Sequence, residues 1–443
     1  MKHEPSAAEP PGFREAFHFW LKLGFISFGG PTGQIAIMHA ELVEKRKWIS
    51  EARFLHALNY CMLLPGPEAT QLATYIGWLL HRTWGGIVAG GLFVLPSAFI
   101  LWALSFVYVS FGKVPAVEAV FYGLKPAVLA IVAVAVVRIG KRVLKNQVMW
   151  ALAGLAFVAI YFLKVPFPLI LITAGVLGLL GGKWWPKKFL IVGNQEAGGG
   201  NIGDAVLSDQ ASAPLHTRPS LGRAIKVCIV SLLLWWTPVF ALGLWLGWDH
   251  TLFREGIFFS KAAMVTFGGA YAVLPYVGQQ AVENHGWLSA GQMLDGLGLA
   301  ETTPGPLIMV LQFVGFLGGW QHPGQLPPLA AATLGAFITT WTTFVPCFLW
   351  IFLGAPHIEQ MRGNERLTSA LSAVTAAVVG VILNLAVWFG WHVLWPDGKT
   401  ADIYAVAVAL IAFVGMLKWK WDIIPVVFGA GLLGVIYKVL LSA

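Results

Sequence analysis

The sequence predicts an all-α polytopic membrane protein of two inverted-topology repeats. Each repeat holds two broken helices or re-entrant hairpins plus about four full spans, and one extra span joins the halves. Three observations carry this expectation. Of 443 residues, 57% are apolar and 11% charged, with a mean hydropathy of +0.72, outside the range of soluble domains of this length. The stretch Lys22–Pro67 returns, reworked, at Lys261–Pro306. Finally, the Lys and Arg residues fall on opposite sides of the two halves.

The copies align without a gap at a constant offset of 239, with 13 identities in 46 positions. Lys22 matches Lys261, Phe28-Gly29-Gly30 matches Phe267-Gly268-Gly269, and Val43-Glu44 matches Val282-Glu283. Trp48, Ser50, Leu55 and Leu58 match Trp287, Ser289, Leu294 and Leu297, and Pro65-Gly66-Pro67 matches Pro304-Gly305-Pro306. Glycines and prolines persist where apolar residues have drifted, so a backbone shape is what the duplication preserves.

The segment 1–15 is a polar tail without the pattern of a removable signal peptide, and the first repeat covers 16–182. In 17–43 and 54–80 the apolar segments are interrupted by Gly29-Gly30-Pro31 and Pro65-Gly66-Pro67. Each arm is too short to cross hydrocarbon at a helical rise of about 1.5 Å per residue, so each pair reads as a hairpin with its tip inside the membrane, or else as one broken span. Full spans follow near 85–111, 115–138, 148–163 and 166–182. A Gly-, Pro-, Ser- and Asp-rich linker covers 183–223, and a connecting span runs over 224–248. In the second repeat, 249–443, the broken segments recur at 256–282 and 292–319, before spans near 329–353, 367–395, 402–417 and 422–440. Cys61, Cys228 and Cys347 are far apart in apolar segments, which indicates neither a disulfide framework nor a metal site. No cofactor is expected.

Charge sets the expected orientation. Lys45, Arg46, Lys47 and Arg53 between the first two hairpins become Asn284, His285, Gly286 and Gln292. Arg138, Lys141, Arg142 and Lys145 end a first-half span, whereas Trp388–Trp395 has no Lys or Arg. Conversely, Arg362, Arg366, Lys418 and Lys420 stand where the first half has only Lys113 and Lys164. By the positive-inside rule the halves face opposite ways, with the N-terminus and linker cytoplasmic and the C-terminus outside. Topogenic loops thus explain the net charge of +8 without nucleic acid. Inverted repeats with paired broken helices mark a secondary transporter with its site near the midplane.

A break inside the membrane frees backbone groups that lipid cannot satisfy. Pro31, Pro67 and Pro306 would each open a half-helix whose free N–H groups suit an anion; the alternative is a kink that merely allows close packing. Lys22 and Lys261, shortly before the paired Gly-Gly breaks, are either substrate counter-charges or side chains snorkelling to the interface. Glu68 and Glu301, at non-equivalent positions beside the Pro-Gly-Pro breaks, are candidates for proton coupling, Glu68 alternatively being a first-turn acid on its helix dipole. Gln34, Thr70, Gln71, Tyr75, Tyr271, Thr302, Thr303 and Gln312 supply uncharged hydrogen-bonding groups near the breaks, and Lys125 lies within an apolar segment. Trp48 and Trp287 are expected as interfacial anchors. The candidate substrate site is therefore Lys22, Gly29, Gly30, Pro31, Gly66, Pro67, Gln71, Tyr75, Lys261, Gly268, Gly269, Tyr271, Thr303, Gly305 and Pro306.

The Phe-Gly-Gly-Pro segment, the basic loop ending in Trp48-Ile49-Ser50, and Leu64-Pro65-Gly66-Pro67-Glu68-Ala69 with Gln71-Leu72-Ala73-Thr74-Tyr75-Ile76-Gly77 resemble the chromate ion transporter family. Thr266-Phe267-Gly268-Gly269 and Thr303-Pro304-Gly305-Pro306 are similar to that family's second domain, so the resemblance covers nearly the whole chain in the long, two-domain form. It implies a bacterial inner-membrane protein that exports chromate and confers chromate resistance, with sulfate as a competing oxyanion. The competing readings are oxyanion uptake by cation symport, a simple anion channel, and a membrane-embedded enzyme acting on lipid phosphates. The last lacks His-Glu-x-x-His, Gly-x-Ser-x-Gly or a tight His/Asp/Glu cluster on one helix, and no P-loop supplies ATP chemistry. Oligomeric state is not fixed by the sequence, and a homodimer stays open.

Overall fold

The computed structural model describes residues 11–28, 30–189, 219–357 and 365–441. Most of the expected tail, most of the expected linker (190–218), Gly29 and Arg362 lie outside the described residues. The described chain is helical throughout. In the first half, α1 (Phe13–Ile26), α2 (Gly30–His39) and α3 (Glu51–Cys61) precede the long α4 (Glu68–Phe111), then α5 (Pro115–Val143), α6 (Gln147–Tyr161) and α7 (Phe167–Trp184). The connecting helix is α8 (Leu221–Leu246). The second half comprises α9 (Thr251–Met264), α10 (Ala270–Gly278), α11 (Ala290–Thr302), α12 (Val310–Gln321), α13 (Pro328–Gly354), α14 (Glu365–Leu394), α15 (Ile403–Lys418) and α16 (Ile423–Val435).

Local chemistry sets these boundaries. Ser50 and Ser289 cap α3 and α11, the latter with Gln292 in a reciprocal capping box. Asn146 and Asp402 cap α6 and α15 by accepting from backbone N–H groups. Pro115 and Pro328 occupy first turns, where no hydrogen bond is lost. Within α4, His81 and Arg82 leave helical geometry, so its first arm and the following helix are separate pieces. Among the described residues, six helices are long and apolar enough to cross a membrane: α4, α5, α7, α8, α13 and α14. α6 has 15 residues, about 22 Å, and is shorter than the span expected there.

Both repeats carry a π-helical stretch at equivalent positions: Ala40–Lys45 after α2 and Gln279–Asn284 after α10. The chain then turns back, and contacts between the arms make each broken segment a hairpin, with Phe258 of α9 against Tyr276 of α10 and Tyr60 of α3 against Tyr75 of α4. Arg46 pairs with Glu15 at 3.2 Å, so the end of the α2 arm returns to the start of α1. Gln321 donates to Gln292, bringing the end of α12 back to the start of α11. Trp48 and Trp287 are buried, at 4% and 2% exposure, which corrects the expectation of interfacial anchors. Their rings pack on Phe19 and Phe258, 5.0 and 5.6 Å between centroids, and clamp the two hairpin bases.

Helix α4 fixes where the bases lie. It leaves the first-half bases at His81, whose ring meets Phe13. Ser97 then passes the hairpin tips, and Tyr108 reaches Asp295, more than a turn into α11 from its base. From Thr83 to Tyr108 is about 38 Å of helix. The two sets of bases are therefore on opposite ends of the bundle, with the tips between them.

The remaining helices are exchanged between halves: α5 packs on α15 and α16, and α14 packs on α6 and α7. Small residues make the closest approaches. A Cβ on Gly434 of α16 would collide with the Ala119 carbonyl oxygen on α5, and one on Gly178 of α7 would sit 2.6 Å from the Ala370 Cα on α14. Large exposed apolar side chains cover α7 and α8, as a lipid-facing surface requires. Gly178→Leu and Gly434→Leu should each destabilise the fold by about 1–3 kcal/mol through overpacking, seen as a lower melting temperature in detergent. Gly429→Ala, with nothing within 4 Å, should leave it unchanged.

Candidate functional site

The four hairpin tips meet, and they are joined crosswise. The Gly66 N–H donates to the Thr266 carbonyl and the Gly305 N–H donates to the Ser27 carbonyl, each at 2.7 Å. These bonds are counterparts, since Gly66 and Gly305, like Ser27 and Thr266, occupy equivalent positions of the two repeats. Each joins a Pro-Gly-Pro break of one half to a Gly-Gly break of the other. The Gln34 side chain adds a third link by donating to the Gly305 carbonyl.

Gly66 and Gly305 have φ of +127° and +102°, a region that L side chains rarely adopt. A Cβ at Gly66 would come within 2.9 Å of Cys347 Sγ and Gln71 Nε2, and one at Gly305 within 2.6 Å of Ser97 Cβ. Ser97 of α4 and Cys347 of α13 each directly follow a proline inside their helix, Pro96 and Pro346, so the two helices are counterparts. The same long helix of each half therefore backs the tip of the other.

Helix starts surround this junction. α4 opens after Pro67, α10 after Gly269 and a 3₁₀ turn at Leu307–Met309 after Pro306, and none of the three has a side-chain cap. Their first-turn N–H groups are therefore free of side-chain acceptors and present the positive ends of the helix dipoles. Buried polar side chains complete the shell: Ser27, Gln34, Thr70, Gln71, Thr266, Thr303 and Gln312. Gln71 donates to the Pro65 carbonyl and Gln312 to Ala98. Among the described residues, the hydroxyls of Ser27 and Thr70 are buried without a partner, a demand that a polar ligand would meet.

Of the expected site residues, the structure brings together Gly30, Pro31, Gly66, Pro67, Gln71, Gly268, Gly269, Gly305 and Pro306. Pro31 Cγ lies 3.9 Å from the Cβ position of Gly269, and Thr375 of α14 is equally close to that of Gly268. Tyr271 donates to Glu301, joining the α10 start to the end of α11. Thr303 is buried with its hydroxyl on the Leu299 carbonyl. Tyr75 is buried in a ring cluster with Tyr60 and Trp78. Glu68 stands in the first turn of α4.

Lys22 and Lys261 do not reach the junction. Both are exposed, and Lys22 lines a cavity of about 680 Å³ with Arg14, Glu15, His18, Phe19 and Arg46 at the hairpin base. A long flexible stem lets a lysine keep its ammonium out of apolar surroundings. Two groups lie outside the expected substrate site. Arg138 and Arg142 lie one turn apart and exposed at the end of α5, where Arg138 donates to the Met416 carbonyl. Asp295 accepts from Tyr108 and pairs with Lys125 at 3.6 Å. The available signal for Asp295 was a lone carboxylate in the otherwise uncharged run Met293–Ala300.

A model of the family described as Chromate transporter matches residues 14–179 and 253–435, one stretch in each half. The chromate transport protein of Pseudomonas aeruginosa is 31% identical over 434 residues, covering 97% of this chain and 93% of that one. The chromate transport protein of Cupriavidus metallidurans is 29% identical, covering 96% and 92%. A probable chromate transport protein of Synechococcus elongatus is 27% identical, covering 92% and 90%. No solved structure matches the chain.

Because Gly66 and Gly305 serve one junction, Gly66→Ala and Gly305→Ala should each destabilise by about 1–3 kcal/mol. Their combined cost should depart from the sum of the two by more than about 0.5 kcal/mol. Melting temperatures of the two single variants and the double variant measure this.

Proposed function

The chain belongs to the chromate transporter family, and from that premise we propose that it is a secondary transporter exporting chromate across a bacterial inner membrane, which would confer chromate resistance. The observation that carries this is the crosswise junction: two pairs of broken hairpins, entering from opposite ends of one bundle, meet at uncapped helix starts. In a membrane this arrangement corresponds to inverted re-entrant repeats with a midplane anion site. Backbone N–H groups and dipole ends bind a tetrahedral dianion without a fixed counter-charge, so sulfate, of the same shape and charge, is the expected competitor. The basic groups at the first-half bases and at the end of α5 face the cytoplasm by the positive-inside rule, and the C-terminus lies outside.

Export needs no ATP. A dianion moving outward through an inside-negative potential releases about 4.6 kcal/mol per 100 mV, twice the value for one charge. Arg138 and Arg142 would raise the local concentration of anion at the cytoplasmic approach. Alternating access would follow from rocking of the exchanged helix bundles about the junction. Glu68 and Glu301 are the candidates for proton coupling, Glu301 being held by Tyr271 in the present conformation.

Uptake of radiolabelled chromate into inside-out vesicles tests this reading. Saturable accumulation driven by an inside-positive potential, inhibited by sulfate, is the expected result; no protein-dependent accumulation under any gradient would exclude export. With the potential clamped by valinomycin, loss of uptake on adding nigericin would show proton coupling. In that case Glu68→Gln with Glu301→Gln should abolish the nigericin effect.

A further inference from the structure

Ion pairs such as Arg46 with Glu15 and Lys45 with Glu41 join parts of one hairpin. Lys125 and Asp295 differ, because their contact joins the two halves. Lys125 Nζ of α5 lies 3.6 Å from Asp295 Oδ1 of α11, and the Tyr108 hydroxyl of α4 donates to Oδ2 at 2.9 Å. The Asp295 side chain is 6% exposed and that of Lys125 32%. One carboxylate oxygen is thus held by a hydrogen bond and the other by the ion pair alone, whereas the ammonium has this one carboxylate among the described residues and an open side. Gly291, one turn before Asp295, leaves room for it: a Cβ there would stand 3.4 Å from Nζ.

The pair has no counterpart in the sequence on the other side of the junction. Where Pro96 of α4 corresponds to Pro346 of α13, the same offset relates Lys125 to Thr375, and the offset of the hairpin repeats relates Asp295 to His56. One end of the bundle is thus fastened by a charge pair, and the opposite end carries the exposed Arg138 and Arg142 of α5. About 20 Å of α5 separates Lys125 from Arg138.

Resting on the transporter reading above, we propose that Lys125 is a binding residue for the transported oxyanion. Asp295 and Tyr108 are then the latch that occupies Lys125 while the pathway is closed at the second-half hairpin bases. A lysine in this setting needs an anion, because an unpaired charge in the interior is expensive. A dianion arriving from the junction can replace the singly charged carboxylate, which releases α11 from α4 and α5. Opening is then conditional on the cargo, so the empty protein stays shut at that end.

The test uses the full-length protein with Cys61, Cys228 and Cys347 replaced, a reporter Leu124→Cys on α5 where it packs on Gly298 of α11, and a membrane-impermeant maleimide in vesicles, alongside labelled-chromate flux. Chromate or sulfate should raise the labelling of the reporter. Lys125→Gln should abolish that rise and increase the KM for chromate about tenfold or more, while Lys125→Arg keeps transport. Asp295→Asn should label strongly without anion. Lys125→Gln with Asp295→Asn, which leaves no unpaired charge, should insert normally and label strongly with or without anion. A wild-type KM in Lys125→Gln, or unchanged labelling in Asp295→Asn, overturns the proposal. If the protein carries no chromate but sulfate raises labelling through Lys125, the cargo assignment fails and the latch stands.

Discussion

Everything in this fold follows from the need to satisfy backbone polar groups where helices are interrupted inside an apolar bundle. A Pro-Gly-Pro or Gly-Gly break leaves N–H and C=O groups that hydrocarbon cannot bond. Four of them, two N–H and two C=O, are satisfied by the bonds from Gly66 to Thr266 and from Gly305 to Ser27, and neither half could make these bonds alone. The break therefore forces the halves together, and the shape of the junction is shared between them. The first-turn N–H groups at the helix starts after Pro67, Gly269 and Pro306 are left without side-chain caps.

Duplication explains the junction but not the charges around it. Arg138 and Arg142 become Trp388 and His392 in the second half, while Glu255, Asp295 and Glu301 stand where the first half has Ala16, His56 and Met62. The backbone is thus pseudo-symmetric while the charges are not: Arg138 and Arg142 have no Lys or Arg counterparts, and the buried Glu255, Asp295 and Glu301 have no acidic ones. Glu255 shows how far this asymmetry extends: the side chain is fully buried, neither carboxylate oxygen has a partner among the described residues, and it fits only because Gly318 and Gly335 carry no Cβ.

Much of this was legible in the sequence because glycine and proline act locally. The breaks at Gly30, Gly66, Gly268 and Gly305 and the constant repeat offset follow from residue type alone, and so do the capped starts at Ser50 and Ser289. The crosswise bonding was not legible, since a backbone donor leaves no side-chain trace of its partner. Lys22 and Lys261 looked like site residues because sequence gives depth along a helix but not the direction a side chain takes. Trp48 and Trp287 misled for the same reason: a tryptophan at a segment end reads as interfacial whether its ring faces lipid or, as here, a phenylalanine of the paired arm. Lys125 and Asp295 belong to different halves of the chain, and only the exchange of helices between halves brings them together.

The anchoring at both ends of each hairpin constrains how the molecule can move. At the bases, the tryptophan clamps and the turn after each π-helical stretch hold the arms in register, and at the tips the crosswise bonds tie each hairpin to the other half. Bending a single hairpin would break a clamp or expose a break to lipid. The soft coordinates are instead the contacts between bodies: α11 against α4 and α5, and the glycine-lined seams of α7 on α14 and α16 on α5. Small residues at those seams let helices slide without losing volume complementarity. Motion at the seams would change the packing at one end of the bundle while the junction keeps its hydrogen bonds, so the seams and the junction are mechanically separable.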